Sequence, residues 1–145
     1  ASAAATILTP IAISNTIELD FGNLAASGTI GTCVLATDNS RSTTGGVTEM
    51  AGGTPTAASF TVTGVAAATY TITLPAGATT VSDGANTMTI DTWTSNPAGT
   101  GTLTGGTSTL LVGATLNVGV NQPGGVYNTS NVGGSGEFTV TVNYQ

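Results

Sequence analysis

The side chains that could do chemistry are few and lie far apart in the sequence. The chain has seven carboxylates, one arginine (Arg41) and no histidine or lysine. General acid–base and Schiff-base chemistry most often use histidine or lysine, so these mechanisms lack their usual groups. Two carboxylates could hydrolyse a glycoside, but Glu18 and Asp20 alternate on the outward face of a predicted strand, where solvated side chains are common. The sequence therefore predicts no enzyme and no catalytic residue.

Metal and cofactor chemistry also lacks a recognisable arrangement. The segments Asp38-Asn39-Ser40 and Asp83-Gly84 do not have the regular acidic spacing of a calcium loop, and they are better interpreted as turns. Cys33 is the only cysteine and lies in an apolar run, which predicts a buried, inert thiol. We expect no metal and no cofactor.

Composition narrows the class of protein further. A chain of 145 residues fits one domain, but only 6% of its residues are charged and its net charge is −6. Nucleic-acid binding needs cationic side chains, so no nucleic-acid partner is expected. No apolar run is long enough to insert in a membrane. The small-residue run at 1–5 is typical of the product of signal-peptide cleavage, which predicts a secreted protein.

Short alternating segments, separated by glycine, proline and asparagine turns, predict strands throughout the chain. The clearest strands are predicted at 16–21, 30–35, 59–63, 69–74, 87–94, 109–112 and 138–145, and Leu116, Val118 and Val120 continue the alternation after 109–112. In the last segment, Phe138, Val140, Val142 and Tyr144 point to one face. Many short strands without a helical pattern predict an all-β fold, an antiparallel β-sandwich.

The N-terminal segment carries a second alternating pattern. One face of it consists of Ala3, Ala5, Ile7, Thr9, Ile11 and Ile13. Such an apolar face must be covered, either at an edge of its own sheet or by another chain. We divide the chain into an extension at 1–13 and a domain at 14–145. Residues 10–14 could instead already form the first strand of the domain, which would leave about 1–9 as the extension.

Five short motifs together resemble a known group of bacterial secreted domains. They are Leu19-Asp20-Phe21-Gly22, Phe60-Thr61-Val62-Thr63-Gly64, Ile72-Thr73-Leu74-Pro75, Val112-Gly113-Ala114-Thr115-Leu116-Asn117-Val118 and the final run from Phe138 to Tyr144. That group is a family of domains of unknown function. It is similar in turn to archaic chaperone–usher pilins, which are related to spore-coat-U-like proteins. Pilins of this kind often contain a disulfide, which one cysteine cannot form within this chain.

The resemblance implies an incomplete immunoglobulin-like sandwich that is completed by the N-terminal strand of a neighbouring subunit. The implied donor residues are Ala3, Ala5, Ile7, Thr9, Ile11 and Ile13. The implied acceptor groove and core contain Leu19, Phe21, Phe138, Val140, Val142 and Tyr144. The expected function is that of a subunit in a homopolymeric extracellular pilus for adhesion or biofilm, with a periplasmic chaperone and an outer-membrane usher as assembly partners.

An alternative function does not need strand exchange. A monomeric secreted sandwich with an intramolecular N-terminal strand could act as an adhesin or a carbohydrate-binding module. Trp93 interrupts the alternation of Met88 and Ile90, and it could lie on the outer face, at a bulge or in the core. An exposed Trp93 together with Tyr127 could stack on a sugar ring.

Overall fold

The computed structural model describes all 145 residues and contains twelve strands and no helix. The first six strands are β1 (Ala12–Ile17), β2 (Leu24–Ala25), β3 (Gly31–Leu35), β4 (Arg41–Gly45), β5 (Thr48–Glu49) and β6 (Ala58–Thr63). The other six are β7 (Thr69–Thr73), β8 (Thr79–Ser82), β9 (Thr87–Asn96), β10 (Thr100–Thr102), β11 (Thr107–Val118) and β12 (Thr141–Tyr144). The fold offers no helix that could cross a membrane.

The long strand β11 organises the larger sheet. Its first half pairs with β6 and its second half with β3, while β9 pairs along the opposite edge over Leu111–Asn117. Strands β1, β4 and β8 extend this sheet beyond β6, β3 and β9 respectively. A smaller sheet has the order β10-β7-β12, and β2 pairs with β5. Every pairing is antiparallel, which confirms the predicted all-β antiparallel sandwich.

The core consists of two hydrophobic clusters along β11. The cluster at the start of β11 lies between the two sheets, where Leu110 and Val112 meet Tyr70 and Val142. The cluster at the end of β11 contains Leu116 and Val118 together with residues of β3, β8 and β9. The smaller sheet covers only the first cluster, because its strands supply no residue to the second.

Three predicted strands differ most from the structure in their limits. Residues 109–112, Leu116 and Val118 belong to one long strand, β11, which ends before Val120, whereas the strand predicted at 16–21 ends at Ile17. A register shift between Asn15 and Ile17 leaves the side chain of Ile17 exposed. The final strand begins at Thr141 instead of Phe138.

The bulge in β9 explains the position of Trp93. Pairing with β11 shifts between Gly113 and Thr115, and Thr92 has a positive φ of 53°. A bulge adds one residue to a strand and so reverses the side-chain alternation after it. Trp93 therefore turns towards both core clusters, where its ring centroid lies 4.6 Å from that of Phe138. Of the three positions considered for Trp93, the outer face, a bulge and the core, the structure places it at a bulge.

Candidate functional site

The two ends of the sandwich differ in how completely they are covered. We call the end where β11 begins the closed end; it holds Ala12 of β1 and Tyr144 of β12. The hydroxyl of Tyr144 accepts a hydrogen bond from the backbone N–H of Val65 at 2.9 Å and donates one to the carbonyl of Thr9 at 2.6 Å. These bonds join the last strand of the domain to the turn after β6 and to Thr9, which lies three residues before β1.

A large cleft occupies the other half of the sandwich. Its volume is about 1230 Å³, and 15 of its 30 lining residues are hydrophobic. Its walls come from three segments, residues 18–26, 122–130 and 137–140. Phe60, Ile90, Leu116 and Val118 form much of its floor. The cleft runs to the end of β11, which we call the open end.

Backbone groups along one wall of the cleft have no partner. Residues 137–140 form no backbone hydrogen bond, whereas the next four residues pair with β7 as β12. Even so, Phe138 and Val140 line the cleft, and Val140 is buried. The ring of Phe138 also meets that of Phe60 edge to face at 6.5 Å. This wall is a strand by its side-chain pattern that lacks a partner in the chain.

The N-terminal segment is exposed and, like residues 137–140, has no partner strand. Residues 1–10 are all exposed and form no backbone hydrogen bond to another segment. Ile7 is 98% exposed and Leu8 is 62% exposed, although both are aliphatic. We call residues 1–10 the extension. Apart from the Thr9 carbonyl, which accepts the hydrogen bond from Tyr144, its backbone groups are unpaired, and it presents apolar side chains that could fill the cleft.

The predicted donor residues divide between the extension and the domain. Ala3, Ala5, Ile7 and Thr9 lie in the extension. Ile11 and Ile13 pack against the core cluster at the closed end, and Ile13 pairs with Val62 as part of β1. Residues 1–10 are exposed, and β1 starts at Ala12.

The predicted acceptor residues also divide into two groups. Leu19, Phe21, Phe138 and Val140 line the cleft. Val142 and Tyr144 lie at the closed end, where Val142 is buried in the core. Sequence reasoning missed the floor of the cleft, since Phe60, Ile90, Leu116 and Val118 look like ordinary core positions of alternating strands.

The charges around the cleft disfavour an anionic ligand. Glu18, Asp20 and Glu137 line it, and no basic residue does. Arg41, the only basic side chain, donates hydrogen bonds at 2.9 Å to the carbonyls of Phe21 and Asn23 behind the cleft wall. Its role here is structural, since it holds this wall in place. The one sequence feature that could have drawn attention to Arg41 is that it is the only basic residue in an acidic chain.

The acidic turns have structural partners. Asp38 accepts hydrogen bonds from the backbone and hydroxyl of Ser40. The backbone N–H and side-chain amide of Asn86, followed by the backbone N–H of Ala85, lower the pKa of Asp83 to about 2. Both turns match the interpretation from the sequence. No group of three His, Cys, Asp or Glu side chains lies close enough to hold a metal ion.

Three further side chains were candidates from the sequence: the thiol of Cys33, and the rings of Trp93 and Tyr127, which were considered for sugar stacking. Cys33 has no exposed surface, and burial raises the pKa of its thiol. Tyr127 lines the cleft, whereas Trp93 does not, and the Trp93 ring is covered by Phe138. The indole N–H donates to the carbonyl of Gly77 at 3.2 Å. The two rings therefore do not form one exposed platform for a sugar.

Residues 11–144 match the family described as Domain of unknown function (DUF4402), and the chain belongs to that family. The matched region begins at Ile11 and so leaves out the extension. No match was found among curated proteins or among solved structures.

Proposed function

We propose that this protein is a structural subunit of an extracellular bacterial filament, in which the extension of one subunit fills the cleft of the next. One observation carries this proposal: the same chain has an unpaired, exposed apolar segment and an unfilled apolar cleft with an unpaired wall. An added strand supplies both kinds of missing contact, main-chain hydrogen bonds and alternate side chains.

The positions of the two features favour donation to another subunit. The extension leaves the domain at the closed end, where Tyr144 binds Thr9, and none of its residues lines the cleft of its own chain. The cleft opens at the other end of β11. At the closed end, β1 and β12 contact each other, and Ile11 and Ile13 pack against the core. A head-to-tail contact of this kind does not close on itself, so it produces an open filament.

The lengths of the extension and the cleft agree. From Leu110, which pairs with Phe60, to Val118 the chain of β11 rises about 27 Å, at about 3.3–3.4 Å per residue. Eight residues of extended chain span about the same distance. A donor that enters from the open end would run antiparallel to residues 137–140 and to β12. It would place Ala3, Ala5, Ile7 and Thr9 on one face.

Ile7 is the residue we expect to contribute most to donor binding. Full burial of an isoleucine side chain contributes about 1.5–3 kcal/mol, and each alanine contributes less. Ile7 lies near the end of the donor that remains closest to the open end. The aromatic side chains of Phe21 and Phe138 line the cleft and would surround an aliphatic side chain there.

The wider biological setting follows from the resemblance to chaperone–usher pilins. A subunit with an open cleft would need protection before assembly, which is the task of the periplasmic chaperone and outer-membrane usher in that class. Filaments of this kind would serve adhesion or biofilm formation. Their persistence would come from slow dissociation.

The experiment compares two neighbouring residues of the extension. Electron microscopy of purified protein is carried out on the unaltered chain, on Ile7→Asp and on Leu8→Asp. Ile7→Asp should abolish filaments, because the aspartate would be buried among apolar side chains near Glu18, Asp20 and Glu137. Leu8→Asp should still form filaments, because Leu8 points to the opposite face of the donated strand.

The matched pair makes the result specific. Equal filament formation by all three proteins would contradict donor-strand exchange, and so would filaments that survive deletion of residues 1–9. Loss in both variants would show that the extension acts through its general apolar character and not as an alternating strand.

A further inference from the structure

The open end carries exposed apolar side chains that the cleft does not use. Ile30 is 64% exposed and Val120 is 54% exposed, and neither lines the cleft. The last paired residues of β11 and β3 are Val118 and Gly31. Ile30 and Val120 therefore lie just beyond this pair, on two adjacent chain segments. We call these two residues the rim.

The extension has almost no slack between the donated strand and its own domain. Thr9 is held by Tyr144, and Ile11 already packs against the core. Only Pro10 lies between them, and one extended residue covers about 3.3 Å. A subunit whose residues 1–8 fill a neighbour's cleft must therefore bring its own closed end close to the open end of that neighbour.

Charge repulsion does not oppose contact between the open end of one subunit and the closed end of another. The segments at 26–32 and 117–126 contain no charged residue, and neither do the closed-end turns at 64–68 and 103–106. The protein as a whole carries a net charge of −6. Asp83, whose Cβ lies close to Gly125 at the open end, is occupied by its hydrogen bonds to Ala85 and Asn86. Glu18, Asp20 and Glu137 also line the cleft that opens here, but the closed-end turns that would meet it carry no carboxylate to repel them.

We infer that the rim is a second interface, on which the closed end of the donor subunit rests. This inference depends on the proposed strand exchange, because the donated strand brings the two ends together. The occupant is the turn at 64–68 of a second copy, which presents uncharged, mainly alanine surface. The rim contact stiffens the junction and slows dissociation, while the cleft alone captures the strand.

The experiment separates strand capture from rim contact. Filaments are prepared from the unaltered chain, from the double variant Ile30→Thr/Val120→Thr and from Val132→Thr. Val132 is 83% exposed and does not line the cleft, so it serves as the control. In parallel, a synthetic peptide of residues 1–9 is titrated onto subunits that carry Ile7→Asp, with and without the rim substitutions.

We expect filaments of the rim variant to dissociate in urea about tenfold faster or more, and to bend more in electron micrographs. A tenfold faster dissociation is the size of effect expected when part of the buried apolar area of two aliphatic side chains is lost. The Val132→Thr filaments should behave like the unaltered ones. Peptide affinity should be the same with and without the rim substitutions, because the peptide has no closed end.

The remaining outcomes would contradict either the rim interface alone or strand exchange as well. Rim filaments that match the unaltered ones in dissociation and stiffness would overturn the rim interface. A parallel loss of peptide binding would also overturn it, because the rim would then act through the cleft. A peptide that binds no subunit, together with no filaments from the unaltered chain, would refute strand exchange itself and the rim interface with it.

Discussion

The two halves of the final segment of the chain have the same sequence pattern but different structures. Residues 141–144 pair with β7, and Val142 is buried at the closed end. Residues 137–140 continue the same alternation along the cleft, yet they form no backbone hydrogen bond. The difference shows that alternation specifies which side chains face inwards, whereas a partner strand must be supplied separately. At the open end, the chain does not supply one.

The largest expected effect lies at the closed end. Leu110→Ala should lower the free energy of unfolding of the isolated domain by about 2–5 kcal/mol, because Leu110 is fully buried and its removal leaves a cavity. Met88→Ala removes a side chain of similar size that lines the open cleft, and its effect should be clearly smaller. Urea unfolding of both variants in an Ile7→Asp background measures the difference. Equal losses would mean that the two ends are equally well packed.

A smaller effect is expected from the tyrosine hydroxyls at the two ends. Tyr144→Phe removes the bonds to Val65 and Thr9, and should cost about 1–2 kcal/mol because the side chain is partly exposed. Amide exchange at Val65 should become faster. Tyr127→Phe removes the bonds to Pro123 and Gln122 at the open end and serves as the matched control. The link at the closed end would be refuted if Val65 exchanged at an unchanged rate in Tyr144→Phe.

The smallest effect is a dependence on pH at the open end. The pKa of Asp83 is about 2, below its ordinary value, so its charged form favours the folded state. This contribution is complete above the ordinary pKa of about 4 and disappears as the pH falls through about 2. Carboxyl NMR shifts should show the low pKa, and Asp83→Asn should flatten stability over this range. An Asp83 that titrates near pH 4 would contradict the turn geometry.

Much of the fold could be predicted from alternation, because side-chain period and turn residues are local properties. The sandwich, the inward face of Phe138 and Val140, and the buried Cys33 all followed from it. The position of Trp93 does not follow from alternation, since the bulge at Thr92 depends on pairing with β11. The role of Arg41 depends on carbonyls about twenty residues away in the chain.

The limit of the extension was harder to predict, for a physical reason. Ile11 and Ile13 share a face with Ile7, and the same pattern suits a strand in its own sheet or one donated to a neighbour. Within this chain, Ile13 pairs with Val62 and Ile11 packs against the core, and neither contact can be read from the local pattern. The cleft was expected from the resemblance, but its floor is formed by strands that are distant in the sequence.

The most direct test measures backbone amide exchange at Phe138 and Val140 and at Asn143 and Gln145 in the same sample. The protein is the Ile7→Asp subunit, with and without a synthetic peptide of residues 1–9. The N–H of Gln145 donates to Thr69, so alternate amides of the last strand, including that of Asn143, point to β7, whereas those of Phe138 and Val140 point away from it. We predict that the amides of Phe138 and Val140 exchange rapidly without the peptide and become protected with it, while those of Asn143 and Gln145 are protected in both states. Amides of Phe138 and Val140 that are already protected without the peptide, or that stay unprotected in its presence, would contradict the account.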